Sequence, residues 1–139
     1  MKISLMIFLT VFAFSVISCG QKQQNKSEES SKITSLNALE FQKKLAQDST
    51  KAQLIDVRTW GEFMGSHLVN SKWMDFYKPD FDAQLSTLDK TKPVYLYCHS
   101  GNRSYQALLK LKSMGFAEIY DLNGGITSWY ANNLPTTRN

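Results

Sequence analysis

The run Pro93-Val94-Tyr95-Leu96-Tyr97, followed by Cys98-His99-Ser100-Gly101-Asn102-Arg103 and then Ser104-Tyr105-Gln106-Ala107-Leu108-Leu109-Lys110-Leu111, restricts the fold more than any other part of this chain. A short apolar run with proline at its first position reads as a buried parallel strand, because proline has no N–H for a ladder but is tolerated at a strand's start. Gly101 lets the following loop curl so that its amides point inward. A helix then begins. Strand, tight loop and helix in this order are the signature of one α/β unit.

The flanking segments extend that unit. Ile33-Thr34-Ser35-Leu36 is a first strand, and Asn37 with Glu40 three residues on is a capping box that opens a helix through about Ala46. Ala52 to Arg58 is a second buried strand ending in charge, and Thr59 with Glu62 repeats the cap before a short helix over Trp60 to Met64. Ser71 to Met74 predicts a short strand and Phe81 to Leu88 a helix. Behind the Cys98 loop, Ala107, Leu108, Leu111 and Met114 share one helical face and Gly115 ends the helix. Glu118 to Leu122 is the last strand, Asn123-Gly124-Gly125 turns into a final helix containing Trp129, and Pro135 ends the order. The alternation predicts an α/β fold with a mostly parallel sheet of about five strands flanked by helices. Residues 33–139 are enough for one small domain, with no internal repeat.

Cys98 sits where unpaired backbone amides and the positive end of a helix dipole converge, a setting that favours a thiolate. Arg103 adds a fixed positive charge. Together they suit a nucleophilic sulfur that attacks an anionic substrate, with Cys98 and Arg103 as the catalytic pair. The backbone of His99, Ser100, Gly101, Asn102 and Ser104 supplies the cradle for the substrate's anionic end. In open parallel sheets a site lies beyond the carboxyl ends of the strands, and both Arg58 and Cys98 fall at such ends.

The Cys-x-x-Gly-x-Arg-Ser loop resembles that of single-domain rhodaneses, sulfurtransferases that carry sulfur as a cysteine persulfide. Four residues separate Cys98 from Arg103. The related loops of tyrosine phosphatases and arsenate reductases carry one more, so the tighter spacing favours sulfur over phosphoryl chemistry. Asp56-Val57-Arg58, then Glu62-Phe63 and His67-Leu68, resemble the family's first signature, and Leu122-Asn123-Gly124-Gly125 with Trp129 and Pro135 its closing one. The resemblance implies that Asp56, Arg58 and Glu62 are supporting residues, with Asp56 bracing the active-site loop and Arg58 paired to acidic neighbours, and that His67 is structural. His99 lines the mouth or tunes the sulfur. The chain departs from the family at Ser66-His67-Leu68-Val69-Asn70-Ser71, where a proline and a glycine are missing; Asn70 can supply the glycine's left-handed backbone. Trp60-Gly61 stands where a proline and an acidic residue are common, so Trp60 and Trp73 either narrow the entrance or only pack.

The resemblance implies transfer of sulfane sulfur from a small anionic donor such as thiosulfate to cyanide or a thiol through a Cys98 persulfide. Two alternatives remain: a persulfide carrier or binding module for an envelope partner, and a cysteine-dependent phosphatase or arsenate reductase. No cofactor is called for, and two histidines with one available cysteine make no metal-ligand set.

Residues 1–18 carry one charge, Lys2, before an apolar run from Ile3 to Ile17, a signal-peptide pattern too short for a membrane span. Val16-Ile17-Ser18-Cys19-Gly20 resembles the lipobox of bacterial lipoproteins, which implies lipidation of Cys19 and a membrane anchor in the periplasm or cell envelope. Residues 19–32 then form a flexible tether, since from Gly20 to Lys32 there is no apolar residue to offset the entropy of ordering. With Cys19 lipidated, Cys98 is a lone free thiol in an exported protein. Of 16 Lys and Arg only Lys2 lies in the leader, leaving 15 basic against 12 acidic residues, net +3. The lysines are scattered without interleaved aromatics, which argues against nucleic acid as partner. A monomer is the expected state.

Overall fold

The computed structural model describes residues 31–138, and the elements are β1 Lys32–Leu36, α1 Ala38–Gln47, β2 Gln53–Asp56, α2 Trp60–Gly65, β3 His67–Leu68, β4 Lys72–Trp73, α3 Phe81–Ser86, β5 Val94–Tyr97, α4 Asn102–Ser113, β6 Glu118–Leu122, α5 Gly125–Ala131 and β7 Thr136–Thr137. The leader, Cys19 and the tether up to residue 30 lie outside the described residues. Lys32, expected at the end of the tether, is instead the first residue of β1, its amide bonded to Ala117 O at 2.8 Å.

Five strands form one parallel sheet in the order β1-β6-β5-β2-β4. β5 lies in its middle, which is why Val94, Tyr95, Leu96 and Tyr97 are all buried and read as a continuous apolar run. Its alternate side chains feed two cores. Val94 and Leu96 join Phe81 and Leu85 of α3 and Ala107, Leu108 and Leu111 of α4 on one face, with Met114 partly buried beside them. Tyr95 and Tyr97 join Phe41 of α1 and Ile126 and Trp129 of α5 on the other. The Asn37 box closes both ways, Asn37 N to Glu40 Oε2 at 3.2 Å and Glu40 N to Asn37 Oδ1 at 3.0 Å. Gly115 takes φ +82° just past α4, a conformation that the Cβ of most residues disfavours.

Order does not stop at Pro135. Leu134 N bonds Trp129 O at 3.3 Å and Trp129 Nε1 donates to Pro135 O at 3.0 Å, which folds the tail back so that Thr136–Thr137 pairs antiparallel with His67–Leu68. Proline at the head of a two-residue strand costs no ladder bond. The departing segment around residues 66–71 holds its turn through Asn70 at φ 66° and through Ser71, whose N–H and Oγ–H both donate to Leu68 O, at 3.0 and 2.8 Å.

Candidate active site

The loop between β5 and α4 encloses Cys98, which is 1 % exposed. Gly101 N–H donates to its Sγ at 3.1 Å and Ser104 Oγ–H reaches the same sulfur at 3.6 Å. Gly101 holds φ +104° directly before α4, so the chain turns under the sulfur and into the helix. Amides in the first helical turn have no carbonyl of a preceding turn, and their partial positive charge faces the loop. The loop thus brings Cys98, Gly101 and Ser104 together, Ser104 through its hydroxyl as well as its place in the backbone.

A second helix fixes the loop from behind. Ile126 N–H donates to Cys98 O at 2.8 Å, Thr127 N–H to His99 O at 3.2 Å, and Thr127 Oγ–H to His99 O at 2.9 Å. The loop's carbonyls thus satisfy the first amides of α5, while of its own amides Gly101 N–H turns to the sulfur. Gly125, at φ +59°, is what permits this approach: a Cβ there would lie 2.5 Å from both Cys98 O and His99 O. The glycine pair reads in sequence as a turn, and nothing in the spacing showed that it abuts the Cys98 loop.

His99, Ser100, Asn102 and Arg103 line an open mouth of about 800 Å³ with Thr59, Glu62, Phe76, Tyr77 and Gln106. Arg103 does not reach freely into it. Its guanidinium is bidentate to Glu62, NH1 to Oε2 at 2.9 Å and NH2 to Oε1 at 2.8 Å, and lies 5.6 Å from the centre of the Tyr77 ring. Glu62 also accepts from Thr59 N at 3.0 Å and Thr59 Oγ1 at 2.8 Å. The Arg103 bonds, opposed by burial and aided by Thr59, hold the Glu62 carboxyl down at about 2 from 4.5. The fork of Arg103 is therefore spent on orientation, and its remaining N–H groups are what an anion can meet.

That shift has a sign. Because the folded value is depressed, the stabilisation from Glu62 is complete above about pH 4.5 and is lost as pH falls through about 2. Glu62 is 30 % and Arg103 15 % exposed, so solvent screens part of it. Glu62→Gln is expected to cost about 1–2 kcal/mol at neutral pH, with the difference from wild type shrinking towards pH 2; denaturant titrations at several pH values check this, and a pH-independent difference would contradict it.

Asp56 and Arg58 stand apart from the mouth. Asp56 accepts from Arg58 N–H and Nε–H at 2.9 Å and from NH2, which also donates to Ser66 O at 2.7 Å. Asp56 therefore braces Arg58 and the residue-66 turn, not the Cys98 loop as the resemblance implied. Asp56 is 0 % and Arg58 3 % exposed, and neither lines the mouth. His67 is also structural, Nδ1–H donating to Phe63 O at 2.9 Å with its ring stacked on Phe63 at 3.9 Å. Trp60 and Trp73 pack at 4.8 Å and line an adjoining cleft with Asp75 and Lys78, outside the lining of the mouth.

Comparison with known proteins agrees with this geometry. Residues 37–132 match the family described as Rhodanese-like domain. The uncharacterized protein YqhL of Bacillus subtilis is 39 % identical over 79 residues, a match spanning 57 % of this chain and 61 % of that protein. A thiosulfate sulfurtransferase GlpE of Pseudomonas savastanoi is 35 % identical over 81 residues, spanning 58 % of this chain and 74 % of that enzyme. The crystal structure of a rhodanese-related protein from Thermoplasma volcanium superposes with a TM-score of 0.65 at 27 % identity, covering 76 % of this chain and 98 % of that one.

Proposed function

The chain belongs to the family of rhodanese-like domains, and on that premise we propose that it transfers sulfane sulfur from a donor such as thiosulfate to a thiophilic acceptor through a Cys98 persulfide. The Cys98 thiolate attacks the outer sulfur of the donor, a sulfur–sulfur bond forms, and the electron pair of the broken bond leaves with sulfite. A second nucleophile, cyanide in an assay or a thiol, then attacks the outer sulfur and releases Cys98 as thiolate. The loop amides and the free N–H groups of Arg103 bind the donor's anionic end and the leaving sulfite.

The observation that carries the reading is the convergence of Gly101 N–H and Ser104 Oγ–H on the Cys98 sulfur. The tight loop around it supports sulfur over a tetrahedral phosphate. Initial rates of thiocyanate formation from thiosulfate and cyanide, run beside hydrolysis of an aryl phosphate, test this. Thiocyanate formation without phosphate release is expected; phosphate release without thiocyanate would overturn it.

We also propose that the protein works in the cell envelope, held by lipid on Cys19. The lipobox-like stretch at residues 16–20 supports this. Labelled palmitate should enter the wild-type protein and not Cys19→Ala; equal labelling of both would refute the anchor.

A further inference from the structure

Beside the mouth lies a second cleft of about 500 Å³, lined by Thr59, Trp60, Gly61, Trp73, Asp75 and Lys78. The two adjoin: Thr59 lines both, and of the segment 75–78 Phe76 and Tyr77 line the mouth while Asp75 and Lys78 line the cleft. Asp75 is 6 % exposed. Its Oδ1 accepts from Tyr77 N–H at 2.9 Å, whereas Oδ2 has no hydrogen-bond or ion-pair partner among the described residues and is not sealed from solvent. A carboxylate oxygen so nearly buried has lost most of its hydration and gains from a donor that enters the cleft. Two indoles stand next to it. Trp73 is fixed by Nε1–H donating to Arg58 O at 2.9 Å, and the half-exposed Trp60 lies 4.8 Å from it, with the ring planes 59° apart, and stacks on Phe63. Indole faces beside a carboxylate attract an ammonium. Lys78, exposed on the same cleft and in no ion pair among the described residues, offers the opposite charge to a carboxylate.

An ammonium and a carboxylate on one carbon are the charged end of an amino acid. We propose that this cleft holds the zwitterionic amino-acid end of the acceptor thiol, its ammonium at Asp75 Oδ2 and the faces of Trp60 and Trp73, its carboxylate at Lys78, while its sulfur passes Thr59 into the mouth. The acceptor gives its thiol proton to solvent and its sulfur attacks the outer sulfur of the Cys98 persulfide. A new sulfur–sulfur bond forms, and the electron pair of the broken one stays with Cys98 as thiolate. The inference rests on the sulfur transfer proposed above and names the acceptor's class. It also gives a role to Trp60, which stands where the family commonly has proline.

Removal of sulfur from thiosulfate-loaded protein by cysteine, by γ-glutamylcysteine and by 2-mercaptoethanol tests this. The first two carry the amino-acid end on a short and a long arm, and the third lacks it. Asp75→Asn keeps the Oδ1 that accepts from Tyr77 N–H and loses the charge. It is expected to slow removal by whichever zwitterionic thiol fits about tenfold and to leave 2-mercaptoethanol within about twofold of wild type. Lys78→Gln, at an exposed position, shows the same selectivity. Equal losses with all three thiols, or no loss with either zwitterionic one, would overturn the proposal. A second readout needs no sulfur transfer: S-methylcysteine, which has both charges and no thiol, should change tryptophan fluorescence saturably in wild type and not in Asp75→Asn. If thiosulfate fails to load Cys98 while this titration holds, the sulfurtransferase reading falls and the cleft stands as an amino-acid site. Loading without a saturable titration would overturn the cleft alone.

Discussion

Gly125→Ala is expected to lower sulfur transfer on the order of a hundredfold, although residue 125 offers no side chain to substrate. The added Cβ would meet backbone on every side, Cys98 O and His99 O at 2.5 Å and His99 C at 2.6 Å. Backbone cannot rotate away as a side chain can. Relief requires the loop and α5 to separate, which breaks the bonds from Ile126 N, Thr127 N and Thr127 Oγ1 to the loop carbonyls. A displacement of about 1 Å at a reacting atom suffices for a hundredfold loss. Lost hydrogen bonds, the left-handed conformation and overpacking together predict about 2–4 kcal/mol of destabilisation. Gly124→Ala is the comparison, because its Cβ would meet Ser128, Cβ at 2.9 Å and Oγ at 3.3 Å, and not the backbone of the Cys98 loop, so its effect on sulfur transfer is expected to be smaller. Thiocyanate formation and melting of the two variants check the order. Wild-type activity in Gly125→Ala would show that the loop is not held by this contact.

Cys98→Ser is expected to abolish turnover, with residual activity below about one part in a thousand, because a serine hydroxyl is not ionised at neutral pH and is a poor nucleophile towards sulfur. Its fold should change little. The hydroxyl occupies the same buried place and can accept from Gly101 N and Ser104 Oγ as the sulfur does. Loss of activity with melting near that of wild type therefore assigns the loss to chemistry, and the steady-state rate and the melting curve are measured on the same preparation.

Much of this architecture is legible in the sequence because local physics decides it. β5 lies mid-sheet and reads as an apolar run; Asn37 and Glu40 stand at capping-box spacing and form the box; Ala107, Leu108 and Leu111 recur at helical spacing and are buried. Cys98, Gly101 and Ser104 lie within one turn of chain, so their meeting follows from the loop. What the sequence hid is set by contacts between distant segments. Glu62 and Arg103 are 41 positions apart and pair through the fold. The fit of Gly125 against the Cys98 loop is a matter of two backbones in near contact, which no spacing reveals. β3 and β7 have two residues each, too few to carry a period, so the return of the tail past Pro135 could not be read. Asp56 was assigned to the wrong partner because a resemblance passes on a residue type and not a side-chain direction.

The most direct test of the account is the intact mass of the protein before and after thiosulfate, with Cys98→Ser treated alongside. A gain of one sulfur atom on wild type alone, removed by cyanide with formation of thiocyanate, is the predicted result. No gain on wild type while Cys98 remains open to alkylation, or an equal gain on Cys98→Ser, would contradict a Cys98 persulfide formed from thiosulfate.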